Sequence, residues 1–82
     1  MQITPNPAKE RVSLSYESLS LNASEINFSI ISLNGKEVFH ITVNDISELP
    51  NSLSLDEFSS GLYLVVLQNG QTRITKKLVI LE

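Results

Sequence analysis

A run of six consecutive apolar residues, Leu62–Leu67, constrains the fold of this chain more than any other feature. Because no position in the run is polar, it predicts a short strand in the middle of a sheet, with both faces covered. The pair Asn69-Gly70 follows one residue later and is a strong hairpin signal, since both residue types tolerate the positive φ of a type I′ turn. A partner strand is expected next, with these apolar residues on one face: Ile74, Leu78 and Ile80.

Alternation of apolar and polar residues predicts further strands, each with one solvent-exposed face. Three such segments precede the apolar run, and their inward-facing residues are Val12, Leu14 and Tyr16, then Ile26, Phe28 and Ile30, then Phe39, Ile41 and Val43. The alternation slips at Ile30-Ile31, which predicts either a β-bulge or a switch to burial on both faces. A second Asn-Gly pair, Asn34-Gly35, predicts a hairpin between the second and third of these strands.

The segments between the predicted strands are rich in proline, serine and asparagine. Pro5-Asn6-Pro7 predicts an extended lead-in that then turns, because proline fixes its own φ and restricts the residue before it. Ser18–Glu25 is predicted to be a loop, with Leu19 and Leu21 folded back onto the core. Pro50 excludes a central strand from the irregular residues 44–52.

Leu53 and Leu55 alternate with serines and indicate one more short strand before the apolar run. No segment shows sustained helical spacing of apolar residues. Six or seven short strands separated by turn signals predict an all-β fold, a small immunoglobulin-like antiparallel β-sandwich of about seven strands. At 82 residues the chain is expected to be a single domain, 1–82.

Composition argues against several classes of function. The net charge is −3 and the basic residues are few and scattered, which does not favour a nucleic-acid-binding surface. No apolar run approaches the ~18 residues needed to span a bilayer. The first residues lack the charged and apolar regions of a signal peptide. The chain has no cysteine, so the sequence offers no disulfide and no thiolate ligand for a metal.

Side chains suited to catalysis or metal binding are few. His40 is the only histidine and lies mid-strand between apolar neighbours, where a structural role is favoured over a general base or a metal ligand. None of the serines lies in a Gly-x-Ser-x-Gly motif. The acidic residues Asp45, Glu48, Asp56 and Glu57 match no calcium-loop spacing and are interpreted as solvated loop charges. The sequence therefore predicts no enzyme, no cofactor and no metal site.

Two features of the last predicted hairpin allow more than one interpretation. Tyr63 could stack on a ligand, but a ring packed in the core with a hydrogen-bonded hydroxyl is favoured. Lys76 and Lys77 are expected on opposite faces of their strand, either as contacts to an anionic ligand or as protection of a sheet edge. Exposed strand edges also make a homodimer, formed by edge-to-edge pairing, an open alternative.

Three segments, taken together, resemble one known family. Pro5-Asn6-Pro7-Ala8, followed by Val12 and Leu14, is similar to the opening motif of the type A C-terminal sorting domains of the type IX (Por) secretion system. The family's middle Gly-Lys-x-Val turn is matched by Gly35, Lys36 and Val38. Its closing Gly-x-Tyr-x-Val motif is matched by Gly61, Tyr63 and Val65, and its lysine-hydrophobic motif by Lys77-Leu78-Val79, preceded by Lys76. The motifs follow in the family's order and cover essentially the whole chain.

The resemblance implies a seven-stranded sandwich at the C-terminus of a larger protein from a Bacteroidetes-type bacterium. It implies passage through the periplasm and recognition by the outer-membrane type IX translocon. It also implies removal of the domain by a sortase-like peptidase, which attaches the cargo to anionic lipopolysaccharide, so that the cargo is secreted or held on the cell surface. The domain is then a substrate of this machine, and residues 1–82 are a fragment that follows an N-terminal cargo domain in the parent chain.

One hypothesis places the recognised surface at the final hairpin, with Lys76, Lys77 and the terminal strand. The alternative function is an immunoglobulin- or fibronectin-like binding module for carbohydrate or protein, which is expected to present a row of exposed aromatic side chains. Most aromatic residues of this chain are expected in the core instead: Tyr16, Phe28, Phe39, Phe58 and Tyr63. A capping domain that stabilises a secreted enzyme is a third hypothesis.

Overall fold

Two antiparallel sheets make up the computed structural model, which describes residues 1–16 and 25–82. Numbered in chain order, the strands are β1 (Gln2–Thr4), β2 (Arg11–Ser15), β3 (Ile26–Ser32), β4 (Glu37–Val43), β5 (Ser52–Ser54), β6 (Gly61–Asn69) and β7 (Thr72–Ile80), with a short 3₁₀ helix at Ile46–Glu48. One sheet has the order β1-β2-β5 and the other the order β4-β3-β6-β7. The predicted small all-β sandwich is confirmed, and the immunoglobulin-like type fits this architecture.

Inward-facing residues of both sheets form one hydrophobic core. The three-stranded sheet contributes Val12 and Leu14, and the four-stranded sheet contributes most of the completely buried side chains. Phe28, Ile30 and Leu78 are each 0% exposed. Since full burial of one large apolar side chain stabilises a fold by about 1.5–3 kcal/mol, the four-stranded sheet supplies most of the hydrophobic stabilisation.

The apolar strand β6 lies between β3 and β7, as its sequence predicts. Its two faces are covered unequally. Tyr63 and Val65 face the other sheet and are buried, whereas Leu62 and Leu64 on the opposite face are half-buried. On that outer face only Val66 is buried. The prediction of full cover therefore holds for one face, because none of the described strands packs over the other.

The hairpin between β6 and β7 turns one residue later than predicted. Asn69 pairs with Thr72, so the two turn residues are Gly70 and Gln71. Gly70 has a φ of +62° and no described non-glycine residue has a positive φ, which matches a type II′ turn and not the predicted type I′. Asn69 stays in the strand because it is buried and its side-chain amide donates to the Glu25 carbonyl at 3.0 Å.

The predicted hairpin at Asn34-Gly35 is confirmed. The Gly35 N–H donates to the Ser32 carbonyl at 2.9 Å, and the Ser32 N–H donates to the Lys36 carbonyl at 2.8 Å. Gly35 has a φ of +86°, which a three-residue hairpin loop requires after its type I turn. This local turn chemistry sets the register in which β3 and β4 pair.

Of the two explanations predicted for the slip at Ile30-Ile31, the bulge is confirmed, next to that hairpin. Ile30 pairs with Phe39, whereas Ile31 pairs with Glu37, so Val38 is the extra residue on β4. A bulge leaves the extra residue outside the regular ladder and bends the strand locally. Beyond it, β4 is regular up to its end.

Other predictions differ in outcome. The short strand near Leu53 is confirmed as β5, with Leu55 buried just beyond it. Strand β1 was not predicted, because three residues are too few to show a recognisable alternation. The 3₁₀ helix was not predicted either, within a segment interpreted as irregular. The predicted loop at Ser18–Glu25, with Leu19 and Leu21 folded back, falls mainly on residues 17–24, which lie outside the described residues.

Candidate recognition surface

The segment around Asn6 lies along the outer edge of β7. The Asn6 Nδ2 donates to the Lys77 carbonyl at 2.8 Å, and its Oδ1 accepts from the Val79 N–H at 3.0 Å. Ala8 continues the contact with its backbone: its N–H donates to the Val79 carbonyl at 2.8 Å, and its carbonyl accepts from the Leu81 N–H at 2.7 Å. The end of this edge strand therefore has hydrogen-bond partners from within the chain, which blocks addition of another strand there.

Pro5 and Pro7 enclose Asn6, and the peptide bonds Thr4-Pro5 and Asn6-Pro7 are both cis. Neither proline has a backbone N–H, so this segment cannot form a regular ladder with β7. The side-chain amide of Asn6 instead supplies one donor and one acceptor to the backbone of β7. The opening motif thus has a structural role, because its asparagine binds the backbone of β7.

The middle motif lies at the opposite side of the sheet. Gly35 and Lys36 form the turn and the exposed start of the β3–β4 hairpin, and Val38 is the bulge residue, 36% exposed. Lys36 and Val38 line an open groove of about 230 Å³ that they share with Phe58 and Tyr63. This groove brings the middle motif next to the tyrosine of the closing motif.

The closing motif forms the first half of β6. Gly61 begins the strand, and Val65 is buried in the core. The Tyr63 ring is buried as well, its centroid lies 5.7 Å from that of Phe58, and its hydroxyl donates to the Ser59 carbonyl at 2.6 Å. The prediction of a core ring with a hydrogen-bonded hydroxyl is confirmed, and Tyr63 is not free to stack on a ligand.

The two lysines of β7 lie on opposite faces, as predicted. Lys76 pairs with the inward-facing Val65, and Lys77 pairs with the outward-facing Leu64. Both lysines are exposed. Lys76 also lines an open groove formed with Gln2, Ile3 and other residues of the first strand. An inward-pointing lysine at a sheet edge is a common protection against unwanted strand pairing.

A chain of polar side chains crosses the outer face of β3 and β4. The Ser29 hydroxyl lies 2.8 Å from His40 Nδ1, and His40 Nε2 lies 3.2 Å from the Thr42 hydroxyl. The Thr42 hydroxyl donates to Asn27 Oδ1 at 2.7 Å, so it accepts from His40 Nε2–H and leaves Nδ1 to accept from Ser29. Glu37 Oε1 lies 3.4 Å from the same Nδ1.

This polar chain is suited to holding the hairpin and not to catalysis. Ser29 and Glu37 approach the same nitrogen of His40, whereas a catalytic triad needs the nucleophile and the carboxylate on different nitrogens. The side chains lie on an exposed sheet face, outside any enclosed cavity that could exclude water. Among the described residues, no three His, Cys, Asp or Glu side chains gather into a metal-binding group.

Two of the loop carboxylates accept hydrogen bonds from backbone groups a few residues away in the chain. Asp45 caps the 3₁₀ helix, and the Ser47 backbone N–H donates to its carboxylate at 2.8 Å. This hydrogen bond lowers the pKa of Asp45 below its ordinary value. Glu48 accepts from the Asn44 N–H at 3.2 Å.

All five aromatic residues belong to the core or pack against it. Tyr16 is buried, its hydroxyl donates to the Pro50 carbonyl at 2.5 Å, and burial raises its pKa to about 12. Phe28 and Phe39 pack edge to face with ring centroids 6.0 Å apart. The exposed aromatic row expected of a carbohydrate-binding module is therefore absent.

Two arrangements escaped the sequence analysis. The hydrogen bonds of Asn6 to β7 connect residues more than seventy positions apart, |i−j| = 71 and 73, which no local pattern encodes. The one signal for this contact in the sequence was the position of Asn6 between two prolines, which have no backbone N–H to donate. The contact of Ser29 with His40 follows from the register that the Asn34-Gly35 hairpin sets, so counting outward from that turn could have found it.

Comparison with family models identifies the family of this chain. The model of the family described as "Secretion system C-terminal sorting domain" matches residues 2–81. No curated protein matches the chain. No helix among the described residues is both long and apolar enough to cross a bilayer.

Proposed function

This chain belongs to the family of secretion system C-terminal sorting domains, and on that premise we propose that it directs a cargo protein across the outer membrane by the type IX system. The family is one of sorting signals and not of enzymes. Membership implies that the protein carrying this domain is exported, either to the medium or to the cell surface. The domain itself carries no catalysis in this proposal.

The observation that carries the proposal is the match over residues 2–81, which includes all three motifs at once. Two of the motifs meet in the fold, where Asn6 binds the backbone of Lys77 and Val79. The middle motif lies near the closing motif, because Lys36 and Val38 line the same groove as Tyr63. A machine that reads shape and strand edges needs no pocket, and this surface offers exposed side chains on the four-stranded sheet.

The finer steps belong to the same proposal. The cargo domain precedes residues 1–82 in a larger parent chain, which passes through the periplasm of a Bacteroidetes-type bacterium. The outer-membrane translocon recognises the folded sandwich. A sortase-like peptidase then removes the domain and links the cargo to lipopolysaccharide. The partners are thus the translocon, the peptidase and the cargo.

The surface that we propose for recognition is the β6–β7 hairpin with Lys76 and Lys77. Both side chains are exposed, and they present positive charge on both faces of one edge strand. Recognition by strand addition is restricted here, because Asn6 and Ala8 already bind the backbone from Lys77 onwards. We therefore expect the translocon to read the side chains of this edge together with the residues that cover it.

An export assay tests the function. Residues 1–82 are fused to a periplasm-targeted fluorescent reporter in a bacterium with a working type IX system. The fusion is expected in the medium or on the cell surface, and the reporter alone in the periplasm. Retention of the fusion in the periplasm, under conditions where another domain of this family exports the same reporter, contradicts the proposal.

A charge reversal then tests the surface. The double variant Lys76→Glu, Lys77→Glu is expected to lose most of the export, while Lys9→Glu, also on an exposed lysine, keeps it. Equal unfolding temperatures of the three proteins ensure that folding does not explain the difference. If the double variant is exported as well as Lys9→Glu, the hairpin charges are not what the machine reads.

A further inference from the structure

The edge of β7 is open over its first half. In a strand, the backbone groups of successive residues point to opposite sides, and those of Val79 point outward to Asn6 and Ala8. By the same alternation, Thr75 and Arg73 also direct their N–H and carbonyl groups outward. No described residue binds these groups, so a short stretch of β7 can accept another strand.

The edge of β4 is open as well. The Ser32 N–H binds the Lys36 carbonyl, which orients Ser32 toward β4. Alternation along β3 and its pairing with β4 then direct the backbone groups of His40 and Thr42 away from the sheet. No described backbone group binds them. The bulge at Val38 limits the regular part of this edge to the second half of the strand.

The charges on the two edges are of opposite sign. Strand β7 carries Arg73, Lys76 and Lys77, half of the six basic residues of the chain, and no acidic residue. Strand β4 carries Glu37 and is followed by Asp45 and Glu48, while Lys36 lies in the turn before it. Charged side chains at a sheet edge oppose pairing with a like-charged strand.

Pairing of like edges is therefore disfavoured. If two β7 strands pair about Thr75, Arg73 of one copy lies opposite Lys77 of the other. If two β4 strands pair with His40 opposite Thr42, Glu37 lies opposite Asp45. These two symmetric registers thus bring like charges together, whereas the unlike pair of edges described next does not.

We propose that the β4 edge pairs with the β7 edge of a second copy of this chain. Strand β7 runs antiparallel to β6, so a β4 strand added beyond it continues the alternation of the sheet. The outward N–H and carbonyl groups of the two edges can hydrogen-bond to each other when Thr42 lies opposite Arg73 and His40 lies opposite Thr75. Self-pairing does not depend on the sorting function, although the β7 edge that it uses lies in the hairpin proposed above for recognition.

Side chains on both faces fit this register. On the inner face, Ile41 of one copy lies opposite Ile74 of the other, and each is half-buried in the single chain. On the outer face, Glu37 comes next to Lys77 at one end of the ladder. At the other end, Asp45 follows β4 just beyond Thr42, the residue that lies opposite Arg73. The register thus pairs Ile41 with Ile74 and brings opposite charges together on the outer face, while Lys76 lies opposite Phe39 on the inner face.

The contact is short, and it is open-ended. Asn6 covers β7 from Lys77 onwards, so only a few backbone groups are available on each edge. The contact is heterologous, since each copy uses one edge and leaves the other free. Association is accordingly weak and extends head to tail as the protein concentration rises.

Sedimentation of paired edge variants tests the proposal. Thr42→Pro removes an outward N–H from β4, and Thr75→Pro removes one from β7, and proline is tolerated on an edge strand where the N–H faces solvent. At concentrations up to ~1 mM, the class of weak complexes, the wild type is expected to exceed the 9.1 kDa of one chain. Each variant alone stays monomeric. An equimolar mixture forms dimers of twice that mass and nothing larger.

Three results overturn the proposal. These are a wild type that stays monomeric at every concentration, a single variant that dimerises through its remaining edge, and a mixture that stays monomeric. Thr42→Lys and Thr75→Glu repeat the test if a proline variant does not fold, since each places an exposed charge near a like charge of the other copy, Arg73 or Glu37. Added salt is expected to weaken the wild-type association, because the paired charges are exposed.

Discussion

At the β7 edge of the four-stranded sheet, Asn6 and Ala8 bind the strand backbone, whereas no described backbone group binds the edge of β4. The two edges also differ in burial. On the inner face of β7, Leu78 and Ile80 are 0% and 3% exposed, whereas the inward residues of β4 are all half-buried. One edge strand is part of the core and the other lies at its periphery.

The difference shows what the opening motif contributes. Strand β7 has β6 on one side only, and a strand in that position would ordinarily be as exposed as β4. Residues from the other end of the chain cover it instead, through one asparagine side chain and one backbone segment. The motifs near the start and the end of the chain therefore depend on each other structurally.

The largest expected effect is a loss of stability when side chains on the inner faces of β7 and β4 are shortened. Leu78→Ala is expected to lower the free energy of unfolding by about 2–5 kcal/mol, because it removes a completely buried side chain and leaves a cavity. Ile41→Ala on β4 is expected to cost roughly half as much, since that side chain is only half-buried. Urea denaturation of both variants measures the difference. Equal losses would mean that β4 is as much a part of the core as β7.

A smaller effect is expected at the covered edge. Asn6→Ala removes two hydrogen bonds to β7 and is expected to cost about 1–2 kcal/mol. Amide exchange should accelerate at Val79 and stay unchanged at Val66 in the middle of the sheet. Asn51→Ala, at an exposed asparagine, is the matched control and should change stability little. Unaltered exchange at Val79 would show that Asn6 does not hold the edge.

The smallest effect is a pH dependence next to β4. The Ser47 N–H holds the pKa of Asp45 below its ordinary value, so the ionised carboxylate is favoured in the folded state. Its contribution is present above the unfolded pKa of about 3.9 and is lost as the pH falls through the folded pKa. Asp45→Asn keeps a capping side chain and should remove this part of the acid sensitivity. Thermal unfolding over an acid pH series, with Asp56→Asn as control, measures it.

Local patterns predicted the elements whose signals lie within a few residues of each other. Alternation located β2, β3 and β4, and the phase slip at Ile30-Ile31 located the bulge. The β6–β7 turn was misplaced because Asn69 has two competing preferences. Its residue type favours a turn, but its burial and its bond to Glu25 hold it in the strand. Burial cannot be read from one dipeptide, and here it decided the register.

In the candidate site too, some features were predicted from the sequence and others depend on the fold. The motif residues were identified from their order along the chain, and the opposite faces of Lys76 and Lys77 follow from the strand period alone. That Tyr63 points into the core was favoured by its residue type, and the fold supplied the Ser59 carbonyl as its partner. The shared groove beside Lys36 depends on how separate hairpins come together.

The sequence by itself determined the all-β class, the two tight hairpins and the central position of β6, because periodicity and turn chemistry act over short distances. Only the tertiary structure decided that the Asn6 side chain covers β7, that one face of β6 stays half-exposed, and that no strand among the described residues covers the β4 edge. These features depend on contacts between residues far apart in the chain. A pattern within one short segment cannot encode them, because each needs two separate segments that pack together.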